Sequence, residues 1–599
     1  MRDIIRQLNA LLTWREKRSF LILVVIMVVE ALLEMLAIGL IPLFITTLAY
    51  PERLATSTVF ARIAELAPAV VLSRESTVLW GSATLLAFYL LKTVYAVVAT
   101  YWKARFAHNR ALKLSIRLYA AYLRAPYTYH LQHNASELFR NVNTECMNLA
   151  NKILLPCVEV FSQIAVLAGI VTVVLFLVPA VAALWLVVFL ALGLAVSTRL
   201  QRRSKRLGAR AQQHRRTIIR AINEGLGGVK ELNVLQRTGT FVERLAATLE
   251  RVLGIQRRHQ LVRQAIPAVI ETLGIVGLLG VTVMLVLDGS SPQHLVATLS
   301  VFAVAMARMK SAVRVVMVSY NELRHNSASL SVVHDGLRQL EPARPDVRQN
   351  TGPAERLAFA QAITLSDVVY RYPGASRPAL DGVSLTIARG EALGIVGTTG
   401  SGKSTLMDVI LGVLKPDQGA ICVDGINVHR DLAAWQLNLG YVPQSVFLLD
   451  ASVAENIALG IAPRDIDPAR LEQAVWAAEL GKLVARLPQG LDTAVGERGA
   501  RLSGGERQRI AIARALYGEP DVLMMDEATS ALDNATEATV VAAVEALKGD
   551  RTIVMIAHRL STVRRCDRIV FLKDGRVDAI GNYDELVAGH PEFARMTRA

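Results

Sequence analysis

Before residue 320 the chain carries apolar runs that are too long for an ordinary water-soluble fold. A helix that crosses a bilayer needs about 20 mostly apolar residues. Six stretches qualify, at roughly 20–48, 77–102, 154–178, 181–199, 266–288 and 293–318. The third and fourth are divided by a turn around Pro179, and the fifth and sixth by the short segment Asp288 to Pro292. The first run is too long for the apolar core of a cleavable signal, so it reads as a retained anchor. The chain is therefore expected to cross a membrane about six times.

The net charge of +15 has two readings, a polyanionic partner or a membrane topology. The basic residues flank the apolar runs, as in Arg15, Lys17 and Arg18, or Arg202, Arg203, Lys205 and Arg206. No basic stripe is interleaved with aromatics, so topology accounts for the charge and no nucleic-acid partner is expected. The N-terminal stub and the connections 103–153 and 199–265 are rich in Lys and Arg, whereas the two tight turns contain neither. This pattern puts both termini and the long connections in the cytoplasm. Those connections read as helices that run on beyond the bilayer. Two places in them are suited to touch another domain, around Tyr127–Phe139 and at Gly227 to Leu232.

Ionisable residues interrupt the apolar runs at Glu30, Glu34, Lys92, Glu159, Glu271, Arg308, Lys310 and Arg314. Charge is costly in lipid, so each should pair with a neighbouring helix, snorkel from a helix end or face a cavity. As a group, Lys92, Arg308, Lys310 and Arg314 are candidates for a cavity that accepts anionic groups. Four cysteines (Cys146, Cys157, Cys422 and Cys566) show neither disulfide nor metal spacing.

Composition changes after residue 335. Residues 336–358 read as a linker between a transmembrane domain over 1–335 and a second domain over 359–599. There, the strand Ala392–Val396 runs into Gly397, Thr398, Thr399, Gly400, Ser401, Gly402, Lys403 and Ser404, followed by Thr405. The glycines let backbone N–H groups wrap phosphates, Lys403 reaches the β- and γ-phosphates, and the Ser404 hydroxyl suits Mg²⁺. A second buried strand, Val522 to Met525, ends in Asp526 and Glu527. An acid at such a tip holds the metal, and the next acid is placed to polarise an attacking water.

With these parts in place the sequence resembles the ATP-binding cassette transporters over essentially its whole length. Leu502, Ser503, Gly504, Gly505, Glu506, Arg507 and Gln508 look like the complete family signature. Gln444 looks like the Q-loop glutamine and a further metal contact. Ser530 to Asp533 resemble the D-loop, His558 the switch histidine, and Tyr372 the aromatic that stacks on adenine. Val495 to Gly499 resemble the loop that exporters use to contact their membrane domains.

The resemblance implies a multi-domain fold, a six-helix transmembrane exporter-type domain plus an α/β phosphate-loop ATPase domain. It implies ATP and Mg²⁺ as cofactors. It also implies a homodimer in which each ATP is closed by the partner's signature. The expected place is the bacterial inner membrane, with the ATPase domain in the cytoplasm. Three short stretches look closest to lipid-linked oligosaccharide flippases: Ala37 to Phe44, Gly227 to Leu232, and the helix from Arg314 through Asn321 to Asn326 and Ser327. The expected activity is ATP-driven export or flipping of a lipid-linked or amphipathic substrate. Export of another lipid, a peptide or a drug stays open at this point, as does an ATP-gated channel or regulator.

Overall fold

The computed structural model describes residues 6–8, 14–49, 74–177, 221–288, 292–340, 355–527, 546–557 and 559–597, with a few isolated positions between them. The chain divides into two compact units, one of residues 1–123 and 136–343, the other of 124–135 and 344–599.

The first unit is built of long helices: α1 (Trp14–Ala49), α2 (Arg74–Arg124), α4 (residues 135–177), α5 (Val229–Val234), α6 (Thr238–Leu287), α7 (Pro292–His325) and α8 (Ser327–Leu340). Five of the six apolar stretches fall on α1, α2, α4, α6 and α7, and the stretch 181–199 lies largely outside the described residues. Among the described residues three helices are long and apolar enough to cross a membrane, at Arg18–Ile45, Val78–Arg124 and Ala135–Phe176. On α2 the residues Leu86, Leu90, Leu91, Val94 and Val97 are all exposed. An apolar face this large belongs against lipid tails, not water. The opposite side of α2 carries Lys92, Tyr95 and Lys103, which turn inward to α1.

Ala31 and Ile38 of α1, Val166, Ile170 and Val174 of α4, Val281 of α6 and Phe302, Ala305 and Met309 of α7 form one buried cluster. Small residues set how closely the helices approach. A Cβ on Gly169 of α4 would lie 2.6 Å from Met35 Cγ, and one on Gly274 of α6 would lie 2.9 Å from Met306 Sδ. Helix α4 is interrupted by two π-helical turns, Asn141–Glu145 and Ala150–Leu154. Each π turn inserts surplus backbone into an α-helix. Helix α8 continues through Leu340, beyond the point where the linker was expected to begin.

The second unit opens with a helical piece from far upstream, α3 (Tyr127–Gln132). The rest is a two-sheet α/β domain. Strands β1 (Ala362–Tyr370), β2 (Leu380–Ala388), β4 (Gln418–Val423) and β5 (Ile426–Asn427) form an antiparallel sheet in the order β2-β1-β4-β5. Strands β3 (Ala392–Gly397), β6 (Leu439–Val442), β7 (Val522–Asp526), β8 (Thr552–Ile556), β9 (Arg568–Lys573) and β10 (Arg576–Gly581) form the second, in the order β10-β9-β3-β8-β7-β6. All its pairings but β9 with β10 are parallel. A parallel strand is buried on both faces, and alternate residues of β3 and β7 point into different cores. Val396, Leu523 and Met525 enter one, and Leu393, Ile395, Val522 and Met524 the other. Helix α9 (Lys403–Ile410) follows β3, and helix α10 (Gly504–Tyr517) precedes β7.

Candidate functional site

In a mainly parallel sheet, ligands bind beyond the carboxyl ends of the strands. β3, β6, β7 and β8 all end on the side where the sequence placed its chemistry.

The loop from β3 to α9 needs its glycines for space. A Cβ on Gly397 would meet Leu572 O at 2.2 Å, and one on Gly402, at φ +100°, would meet Ala379 O at 2.5 Å. Lys403 is buried, and its Nζ donates to the carbonyls of Gly397 (2.9 Å) and Thr398 (3.0 Å). The loop is thus wrapped around its own lysine. Burial lowers the Lys403 pKa, opposed by the charges of Glu527 and Asp526. Ser404 is exposed in the first turn of α9, and Thr398, Thr399 and Gly400 are exposed on the loop. Ser401 is buried, and its Oγ has no hydrogen-bond partner among the described residues. Tyr372 sits beside this helix, with its hydroxyl 3.2 Å from Thr405 Oγ1 and its ring edge-on to Tyr370 at 5.1 Å.

Asp526 closes β7, and Glu527 follows with φ +47°. A non-glycine residue in the left-handed region costs about 1–2 kcal/mol, and such strain clusters at functional sites. Gln444, two residues past β6, donates from Nε2 to Glu527 Oε2 at 2.5 Å. The structure therefore brings together Lys403, Asp526, Glu527 and Gln444, whose codons are spread over more than a hundred residues. It also reveals a carboxyl that the sequence reading missed. Asp408 on α9 is pushed up to about 6 by burial and then by the charge of Asp526. Tyr441, on β6, is pushed up to about 12 by burial, then by Asp526, Asp408 and Tyr127 of α3. Asp408 lies in an otherwise apolar helical run, and nothing in its spacing marks it.

Ser503 caps α10 at its N-terminus, with Gly504 and Gly505 in the first turn. No hydrogen bond joins these three to the phosphate loop among the described residues. Gln508 faces inward on α10 and is buried, with Nε2 unpartnered among the described residues. His558, two residues beyond β8 in the sequence, and the segment Ser530 to Asp533 lie outside the described residues.

In the membrane unit, three of the four singled-out cations already hold carboxylates. Lys92 Nζ is 2.6 Å and Arg308 Nη1 3.4 Å from the two oxygens of Glu34, and Lys310 Nζ is 2.6 Å from Glu271. This is the helix-to-helix pairing that the sequence had left open. Arg314 is exposed, with no ion pair among the described residues.

Comparison with known proteins agrees with this architecture. The family described as ABC transporter matches residues 380–530, and that described as ABC transporter transmembrane region matches 36–309. A protein of Cupriavidus metallidurans named ATP-dependent lipid A-core flippase is 32% identical over 523 residues, covering 86% of either chain. One of the same name from Thiobacillus denitrificans is 30% identical, over 86% of this chain and 88% of its own. The fold is shared with a solved bacterial Atm1-family ABC exporter with ATP bound, at a TM-score of 0.73 and 22% identity, over 95% of this chain and 97% of that one. Apolar helices that make it a multi-pass membrane protein, followed by an ATPase domain on the same chain, place this protein in the ABC transporter family, as a half-transporter that couples ATP hydrolysis to transport.

Proposed function

We propose that two copies of the chain form a homodimer in the bacterial inner membrane, with the ATPase domains in the cytoplasm, and use ATP to move a lipid with a phosphorylated saccharide headgroup. The observation that carries the ATPase part is the Gln444–Glu527 hydrogen bond at the strand tips, beside Lys403 and Asp526. Lys403 exchanges its two loop carbonyls for the β- and γ-phosphates. Ser404, Gln444 and Asp526 offer the hard oxygen donors that Mg²⁺ prefers. Glu527, fixed by Gln444, takes the proton of the attacking water, and His558 contacts the γ-phosphate. Tyr372 stacks on adenine, and Ser503 with the Gly504 and Gly505 amides closes the partner's ATP.

Two lines support the substrate class. The relatives above are named for lipid A-core, and the short stretches in α1, near α5 and in α7 resemble flippases of lipid-linked oligosaccharides. The two lipids share sugars, phosphate and apolar chains. An anionic headgroup has to compete with Glu34 for Lys92 and Arg308. A phosphate that accepts both parallel hydrogen bonds of a guanidinium is equipped to do so, whereas the single long contact from Arg308 to Glu34 is not of that kind.

The test uses the full-length protein in liposomes. Fluorescent polyprenyl-pyrophosphate oligosaccharide, lipid A-core and a neutral lipid are offered with and without ATP. ATP-dependent movement of a phosphorylated glycolipid is expected, and the two anionic probes separate the finer assignments. In Glu527→Gln, nucleotide binding persists while turnover and movement are almost lost. Equal movement of the neutral lipid would sink the headgroup assignment, and normal hydrolysis by the Gln variant would remove Glu527 as the base.

A further inference from the structure

The first turn of α10 contains an acid where the proposed function needs to receive one. Glu506 lies three residues after the cap and completes a reciprocal pair: Glu506 N donates to Ser503 Oγ at 3.3 Å, and Ser503 N donates to Glu506 Oε2 at 2.8 Å. The Glu506 side chain is only 12% exposed, so water screens its charge poorly. Its other oxygen, Oε1, accepts from Arg486 Nη2, at the end of the short helix Gly481–Arg486. Burial works to raise the Glu506 pKa, but the Ser503 hydrogen bonds and Arg486 outweigh it and hold the group ionised.

A carboxylate at a helix N-terminus is stabilising for the helix. It is a liability for a helix end that must take up a nucleotide phosphate, because like charges repel. The Ser503 hydroxyl is involved as well, since the Glu506 amide donates to the same oxygen that a phosphate would engage. An exposed Arg–Glu pair contributes little to stability, and Arg486 is 71% exposed. Its consequence lies in the local potential and in how Glu506 divides its two oxygens.

We propose that Arg486 is a positioning residue of the composite ATP site: it cancels the charge of Glu506 and holds its Oε1 while Oε2 stays on the Ser503 amide, leaving the Ser503 hydroxyl and the helix-end amides fit to receive a phosphate. This rests on the reading that the α10 N-terminus binds nucleotide phosphate. Arg486 acts through Glu506, so the two substitutions are coupled. Glutamine at position 506 preserves the reciprocal capping bond without the charge.

The experiment is a double-mutant cycle on the reconstituted full-length protein, with ATPase activity measured against ATP concentration at two salt concentrations. Arg486→Ala is expected to raise KM for ATP by about 3- to 10-fold with a smaller change in kcat, less so at high salt where the repulsion is screened. Arg486→Lys should recover most of the loss, because charge rather than a planar fork is required. In the Glu506→Gln background, Arg486→Ala should change KM by less than twofold. The same rise in KM in both backgrounds, or none in either, overturns the proposal. Ser503→Ala distinguishes the two levels. If it leaves KM and turnover unchanged, the phosphate reading itself has failed. If it impairs them while the cycle is additive, only the role of Arg486 has failed. Thermal midpoints of all variants separate a folding defect from a change in the site.

Discussion

At the scale of single residues, the carboxyl of Asp408 is the one most at odds with its surroundings. It sits on α9 with Asp526 for a neighbour, and its charge also reaches Tyr370 and Tyr441. Its pKa rises from an ordinary 3.8 to about 6 in the folded protein. The folded state therefore binds more protons than the unfolded chain between those values. Stability falls as pH rises through the window from about 4 to about 6, and the full penalty is present above it. Asp408→Asn removes that penalty. In nucleotide-free protein, the variant's gain in thermal midpoint should be larger at pH 8 than at pH 5. An equal gain at both values would show that the charge is not the cause.

At the scale of elements, α1 and α2 are joined by a row of polar contacts through an apolar bundle. Glu16 pairs with Arg110, Glu30 with Lys103 at 2.6 Å, and Glu34 with Lys92, while the Tyr95 hydroxyl donates to Ile26 O at 2.8 Å. In the middle pair Lys103 is 3% exposed, and Ser162 of α4 donates to Glu30 at 3.1 Å. Removing one partner of a buried pair leaves an uncompensated charge and costs about 3–5 kcal/mol, whereas an apolar replacement of both is often neutral. Lys103→Met should thus lower the thermal midpoint in detergent sharply, and adding Glu30→Met should restore most of it. Failure of the second change to rescue would mean that the row is not held by pairing. The acids in α1 were visible in the sequence as interruptions of apolar runs. Their partners were not, because a pairing such as Glu30 with Lys103 depends on how two helices are rotated against each other, which hydropathy does not encode. The phosphate loop was legible in full, since its glycines, lysine and serine are adjacent in the chain. Asp408, Glu506 and Arg486 were harder to see because their chemistry arises only from neighbours brought up by folding.

At the scale of the molecule, the proposed dimer predicts shared sites. A Lys403→Ala chain co-assembled with a Ser503→Ala chain yields one composite site with both lesions and one with neither. ATPase activity above that of either mutant homodimer is expected, and activity no greater than theirs in purified heterodimers would count against sharing in trans. The division into units also has a consequence for how the chain is made. The ATPase unit includes residues 124–135, so part of it leaves the ribosome long before the rest. Tyr441, whose hydroxyl senses Tyr127, is synthesised some 300 residues later. At about 5–20 residues per second, that is a delay on the order of half a minute. During that interval α3 emerges without the strands it is grouped with. The ATPase unit is therefore a late event in biosynthesis, and a C-terminal fragment made on its own from residue 344 would lack a piece that only the full chain supplies.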